Sequence, residues 1–176
     1  LIRMAPFLWQ AGAELVDDPL YPTMLVLNSA EALRGAQFFV DLSVVDHSVP
    51  SAEEEAAEES EARFINGTLA MFLNSRRGVP TYREITAFEW DVAAMPQNTE
   101  RASILHADAY CLPSASRVKD EAWSFIEYAN SPTGQAVIAA TGRTVPSLVS
   151  VAESPAFLDP QLPPANSQVF LRELPY

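Results

Sequence analysis

Apolar positions recur along this chain with two periods, and the alternation between them outlines its elements. Pro6, Phe7, Leu8 and Trp9, with Ile2 before them, stand ahead of Gly12 and predict the end of an apolar helix stopped by glycine. Glu14-Leu15-Val16 and Met24-Leu25-Val26-Leu27 flank Asp17-Asp18-Pro19, so two extended segments around a turn are expected. Ser29 can cap a helix in which Leu33, Ala36, Val40 and Val44, with Phe39 beside them, fall at spacings of three and four and predict the inward face. Ser51 with Glu54 forms a capping box, and the helix it opens carries Glu53, Glu54, Glu55, Glu58, Glu59 and Glu61 on an alanine frame. A solvated face favoured by the helix dipole is the plain reading of that run, and a cation or basic-partner site is the alternative.

After the helix end at Asn66-Gly67 the pattern changes. Leu69-Ala70-Met71-Phe72-Leu73 is a continuous apolar run short enough for a buried strand, and Asn74, Ser75, Arg76 and Arg77 follow it. Ligands of α/β sheets bind outside the carboxyl ends of strands, which makes this polar cluster a candidate site. Phe88 to Ala93 alternates up to Pro96 and reads as an extended crossing segment. From Ile104 to Leu112 the alternation puts His106, Asp108 and Tyr110 on one face and Leu105, Ala107, Ala109 and Cys111 on the other, where Cys111 is expected as a buried small apolar residue. A helix from Ser116 should turn Val118, Ala122, Phe125, Ile126 and Ala129 inward. The next has Ser131 as cap, Pro132 at its first position and an end before Gly142.

Composition narrows the classes. With 11 Lys+Arg against 23 Asp+Glu the 176-residue chain carries −12, and its basic residues are scattered, which argues against nucleic acid. A single cysteine and two histidines exclude a disulfide framework and a metal scaffold, so no metal or cofactor is expected. There are 14 prolines but only 6 glycines, so proline makes most of the turns. The sequence opens at Leu1 without a charged or apolar leader and stops at Leu174-Pro175-Tyr176 in mid-pattern, so a piece of a longer protein is expected.

Taken in order, several phrases resemble one family. Trp9-Gln10-Ala11-Gly12-Ala13-Glu14, Asn28 to Leu33 running into Phe38-Phe39-Val40-Asp41-Leu42, Phe64-x-x-Gly67-x-x-Ala70-Met71, Trp90-Asp91-Val92 to Pro96, and Ala122-Trp123-x-Phe125-Ile126-x-Tyr128 followed by Ser131-Pro132-x-Gly134-Gln135 and Gly142 to Ser147 are similar to the extracellular solute-binding proteins of ABC importers, the family of maltodextrin-type receptors. The resemblance implies an α/β, periplasmic-binding-protein-like type II fold with two lobes. This chain would supply most of the C-terminal lobe (1–87), a segment crossing into the N-terminal lobe (88–145) and a return to the C-terminal lobe (146–176). It departs from the pattern where Ala13 replaces a second glycine and where His106-Ala107-Asp108 replaces a segment of small residues.

What the resemblance implies about function is capture of a carbohydrate, polyol or glycerol-phosphate solute between lobes and delivery to membrane permease subunits. Such a receptor would be extracellular, periplasmic or a lipoprotein on the outer face of the membrane, monomeric when intact, and would make or break no bond. A sugar site needs an aromatic face and groups that hydrogen-bond hydroxyls. Trp9 is the stacking candidate; Asn74, Ser75, Arg76, His106, Asp108, Tyr110 and Arg143 are the polar ones, with Asp108 foremost because a carboxylate accepts two hydroxyl bonds. Against these stand plain readings: a core aromatic for Trp9, a solvated turn for the Asn74 cluster, a surface pair for His106 and Asp108, and a helix-terminal cation for Arg143. Two other functions remain open, a secreted hydrolase using His106 and Asp108, and a structural lobe that holds no solute. No Gly-x-Ser-x-Gly elbow supports the hydrolase.

Overall fold

A computed structural model describes residues 4–176 of the chain; Ile2 of the first apolar stretch lies outside them. The chain divides into two compact units, Leu1–Leu69 with Ala94–Leu105 and Pro175–Tyr176, and Ala70–Ala93 with His106–Leu174.

The first unit is organised by two crossing helices. Helix α1 (Ala5–Gln10) ends as the glycine predicts, with Gly12 at φ +85°. Helix α2 (Ala30–Val44) starts on Ser29, whose hydroxyl accepts from the Ala32 N–H. The face of α2 that is buried is Ala32 and Gly35, with Ala36 packed beside them, whereas Leu33 is 67% exposed and Val40 and Val44 are also exposed. The expected inward face is thus rotated by about a quarter turn. The cause is the closeness of α1: a Cβ on Gly35 would lie 2.7 Å from the Phe7 carbonyl oxygen and 2.9 Å from Leu8 Cα. Small residues permit that approach, and Leu33 or Val40 would block it. The Phe7 ring meets Phe39 edge-on at 5.1 Å, and Leu8, Ala13 and Leu15 complete the core. The expected turn forms as an antiparallel bridge between Val16 and Leu25, held by Asp17, whose carboxylate accepts from the N–H groups of Thr23 and Met24.

The glutamate-rich stretch forms two short helices where one was expected. The capping box of Ser51 and Glu54 opens α3 (Ala52–Ala57), Glu58 is extended, and α4 (Ser60–Ile65) follows. The break is stabilised locally: Glu55 accepts from both the N–H and the hydroxyl of Ser60, and the Arg63 guanidinium donates to the carbonyls of Glu54 and Glu58. No cluster of carboxylates arranged for a metal occurs among the described residues.

The second unit packs α7 (Pro132–Ala140) on α8 (Val149–Ala152), with Ala139, Val151 and Phe157 at its centre. The hydroxyl of Ser131 caps α7 at the Gly134 N–H, and Gly142 follows at φ +83°. Buried Gln135 joins α7 to the next segment, donating to Ser147 Oγ at 2.6 Å and accepting from the Leu148 N–H at 2.9 Å. Helix α6 (Lys119–Asn130) begins later than Ser116 and buries only Ala129 fully, while Val118 and Phe125 are exposed against expectation. The chain closes with α9 (Gln168–Arg172).

The predicted strands over Leu69–Leu73, 88–93 and 104–112 are non-helical but join no ladder among the described residues. Cys111, expected on a buried face, is exposed. Strand pairing is non-local, so an alternating pattern by itself does not make a ladder. The compact units change over at 69/70, 93/94, 105/106 and 174/175. Residues 70–93 stay with the C-terminal segment because Arg83 donates to the carbonyls of Pro163 (2.7 Å) and Ala140 (3.0 Å), and Asn166 bonds Asp91 and Val92. No helix among the described residues is long and apolar enough to cross a membrane.

Candidate functional site

The polar cluster after Leu73 is shaped by a change of backbone. Asn74 and Ser75 lead into a 3₁₀ turn (Arg76–Gly78) that continues as α5 (Val79–Tyr82), whose Pro80 fits the first turn because its missing N–H would be unpaired there. Asn74 turns back on this helix: its amide donates to the Tyr82 hydroxyl, and its Oδ1 accepts from the Ser75 N–H at 2.8 Å. Buried Tyr82 stands edge-on to Phe72 (6.4 Å) and to Trp90 (5.8 Å). Asn74 is therefore an exposed residue with a fixed side chain, and Ser75 beside it is exposed.

Arg76 turns inward. It is 6% exposed, and its guanidinium carbon lies 4.2 Å from the centroid of Phe157 and 4.7 Å from that of Phe170. Its Nη1 donates to Ser167 Oγ at 3.4 Å, and that hydroxyl donates in turn to the Pro164 carbonyl at 2.9 Å. Nε and Nη2 are buried without an acceptor among the described residues, as is Trp90 Nε1. Burial, aided by the charge of Arg83, lowers the Arg76 pKa to about 10, so the residue remains a cation at neutral pH. Held by two aromatic faces, Arg76 organises the loop that presents Asn74 and Ser75.

The second group lies on the segment before α6. His106 and Asp108 are exposed and share no hydrogen bond among the described residues. Tyr110 is half-exposed and edge-on to Phe125 of α6 at 5.8 Å. Arg143 is exposed just after Gly142, and its N–H donates to Thr141 Oγ1 at 3.2 Å. All these residues belong to the second unit, whereas Trp9 belongs to the first and packs half-buried against the core of Ala5, Leu8 and Ala32.

Sequence reasoning missed the supports of Asn74 and Arg76, namely Tyr82, Phe157, Ser167 and Phe170. Trp90 was visible as part of a phrase, but nothing in the spacing tied it to Tyr82. Two concavities of about 420 and 370 Å³ lie along α2, lined by residues such as Leu33, Gln37 and Asp41 and by Asn28, Ala32 and Ala36; neither includes a candidate named above.

A search of curated proteins finds no match. Among solved structures, the fold is similar to that of the ABC substrate-binding protein Lmo0181 from Listeria monocytogenes in complex with cycloalternan. The TM-score is 0.80 at 18% identity, over 99% of this chain and 44% of that one. At that identity the likeness establishes the fold, a periplasmic-binding-protein-like arrangement of which this chain covers less than half the length. The family model for bacterial extracellular solute-binding proteins matches residues 3–164, nearly the whole sequence, and the chain therefore belongs to that family.

Proposed function

We propose that this chain is the C-terminal part of the substrate-binding component of an ABC importer, a two-lobed receptor that captures a carbohydrate or a related polyol or glycerol phosphate and hands it to membrane permease subunits. The observation that carries the reading is the combination of a family match over residues 3–164 with a fold similar to a receptor bound to cycloalternan. In the division proposed, residues 1–87 belong to the C-terminal lobe, 88–145 cross toward the N-terminal lobe, and 146–176 return. The intact receptor is monomeric and faces the outside of the cytoplasmic membrane, free or as a lipoprotein.

Solute contact falls to half-buried Trp9 as an aromatic face and to the exposed polar candidates, Asn74 and Ser75 as hydroxyl partners and Asp108 with His106, Tyr110 and Arg143. Asn74 is best prepared, because its bond to Tyr82 fixes the amide before ligand arrives. Arg76 acts by holding the loop. The chemistry required is hydrogen bonding and stacking, with no bond broken.

Titration of the 176-residue chain and of the intact receptor with one series of saccharides tests the reading. The receptor should bind and the chain alone should bind far more weakly; equal dissociation constants would contradict the assignment as a partial receptor. Alanine at Asp108 or Trp9 in the receptor should weaken binding, and unchanged affinity in both variants would favour a lobe that holds no solute. Chromogenic ester and glycoside substrates should remain uncleaved, and turnover lost in His106→Ala would favour the hydrolase.

A further inference from the structure

Six asparagines occur in the sequence, and five of them, Asn28, Asn74, Asn98, Asn130 and Asn166, precede serine or threonine; Asn66 precedes glycine. The difference is chemical. An asparagine amide carbon can be attacked by the backbone nitrogen of the next residue, and glycine leaves that nitrogen uncrowded and its backbone free to turn. Asn66 ends α4 and Gly67 follows at φ +74°, both exposed to water.

The fold holds both reacting groups back. Asn66 Nδ2 donates to Glu58 Oε1 at 2.7 Å, and the Gly67 N–H donates to the Phe64 carbonyl at 3.0 Å. With Asn66 at ψ −2°, ring closure needs a rotation that breaks the Gly67 bond and draws the amide away from Glu58. A carboxylate that accepts from the amide N–H also reinforces amide resonance, which leaves Cγ a poorer electrophile. Glu58 is the extended residue between α3 and α4, and its own carbonyl accepts from Arg63 Nε at 2.8 Å. It is thus tied to α4 twice, through its carbonyl and through its carboxylate.

We propose that Asn66–Gly67 is a deamidation site and that the Glu58 carboxylate sets its rate by holding the Asn66 amide. The Gly67 nitrogen gives its proton to solvent and bonds to Asn66 Cγ; the Cγ–Nδ2 bond breaks, and Nδ2 leaves as ammonia after taking a proton from water. One water then adds to either carbonyl carbon of the cyclic imide and opens it to aspartate or to isoaspartate, whose main chain runs through Cβ. Either product places a second carboxylate opposite Glu58, so a hydrogen bond becomes a like-charge contact and one of the two ties to α4 is lost. The inference stands on the α3–α4 junction and is independent of which solute the receptor holds.

Incubating the folded 176-residue chain at mildly alkaline pH, with peptide mapping by mass spectrometry at intervals, tests this. Aspartate and isoaspartate should accumulate at Asn66 before any other asparagine. Glu58→Ala should speed that conversion about five- to tenfold, as loss of one solvent-exposed hydrogen bond from the closed state implies. Glu58→Gln, which keeps the size and offers a neutral acceptor, should fall between. In urea all three chains should convert Asn66 at one rate, because the fold no longer holds the amide. Equal rates in the three folded chains, or differences that persist in urea, would overturn the role of Glu58. Earlier conversion at Asn74 or any other asparagine would overturn the site. Asn66→Asp gives a second readout: it should lower the melting temperature by several degrees, and by less when combined with Glu58→Gln, whose amide donates to the new carboxylate. An equal loss in both backgrounds would contradict the like-charge contact.

Discussion

Replacing Arg76 by methionine and by alanine separates what its charge does from what its bulk does. The guanidinium sits 4.2 and 4.7 Å from the ring centroids of Phe157 and Phe170, and each such contact contributes about 0.5–2 kcal/mol. Opposing this, Nε and Nη2 are buried without acceptors, at a cost of roughly 1–3 kcal/mol each. The two effects nearly cancel, so the net value of Arg76 lies mainly in filling the space between the rings. Methionine keeps most of that volume and makes sulfur–aromatic contacts worth about 0.3–1.5 kcal/mol, so Arg76→Met should change stability by less than about 1 kcal/mol. Arg76→Ala leaves the rings facing a void and should cost about 2–4 kcal/mol. Urea unfolding followed by circular dichroism measures both, with the slope unchanged if only stability has moved. Equal losses in the two variants would refute the reasoning, since they would mean that the charge itself has strong partners.

Other expectations follow from particular contacts. Hydrogen bonds from the Thr23 hydroxyl and then the Met24 and Thr23 N–H groups hold the Asp17 carboxyl well below its ordinary 3.8. Its contribution to the turn is complete above that ordinary value and is lost only as pH falls through the lower folded value, so the Thr23 and Met24 amide resonances should stay fixed near pH 4. A titration midpoint at or above 3.8 would count against the turn. A Cβ on Gly134 would sit 2.1 Å from the Tyr128 carbonyl oxygen, so Gly134→Ala should destabilise the chain by about 1–3 kcal/mol despite its better helix propensity. A raised thermal midpoint would disprove that clash. Gln135→Ala strips the Leu148 N–H of its acceptor and should cost about 1–3 kcal/mol, read by denaturant unfolding; a neutral effect would show that water replaces the amide.

What the sequence disclosed was the local chemistry. Ser29, the Ser51–Glu54 box, Ser131 with Pro132, Gly12 and Gly142 all mark boundaries where the chain places them, because caps and left-handed glycines are decided within a few residues. Faces were less legible. Leu33, Val40 and Val44 are periodic in the same helix as Gly35, and only the nearness of Phe7 and Leu8 selects the small-residue side. The strand patterns over 69–73, 88–93 and 104–112 join no ladder among the described residues, since strand pairing depends on residues far apart in sequence, which no local pattern reveals. Asn74 could be singled out by its place after an apolar run, but its bond to Tyr82 could not. The inward turn of Arg76 depends on Phe157 and Phe170, more than eighty residues further along the chain. Aromatic partners at such separations leave no periodic trace.

In the proposed function this chain is part of a receptor for a carbohydrate or a related polyol or glycerol phosphate. Thermal unfolding of the intact receptor against mono-, di- and oligosaccharides, polyols and glycerol phosphates tests it most directly. A cognate solute present at about a hundred times its dissociation constant adds about 2.7 kcal/mol of stability, a clear rise in melting temperature confined to one chemical class. A folded receptor whose melting temperature is unmoved by every class would contradict the account.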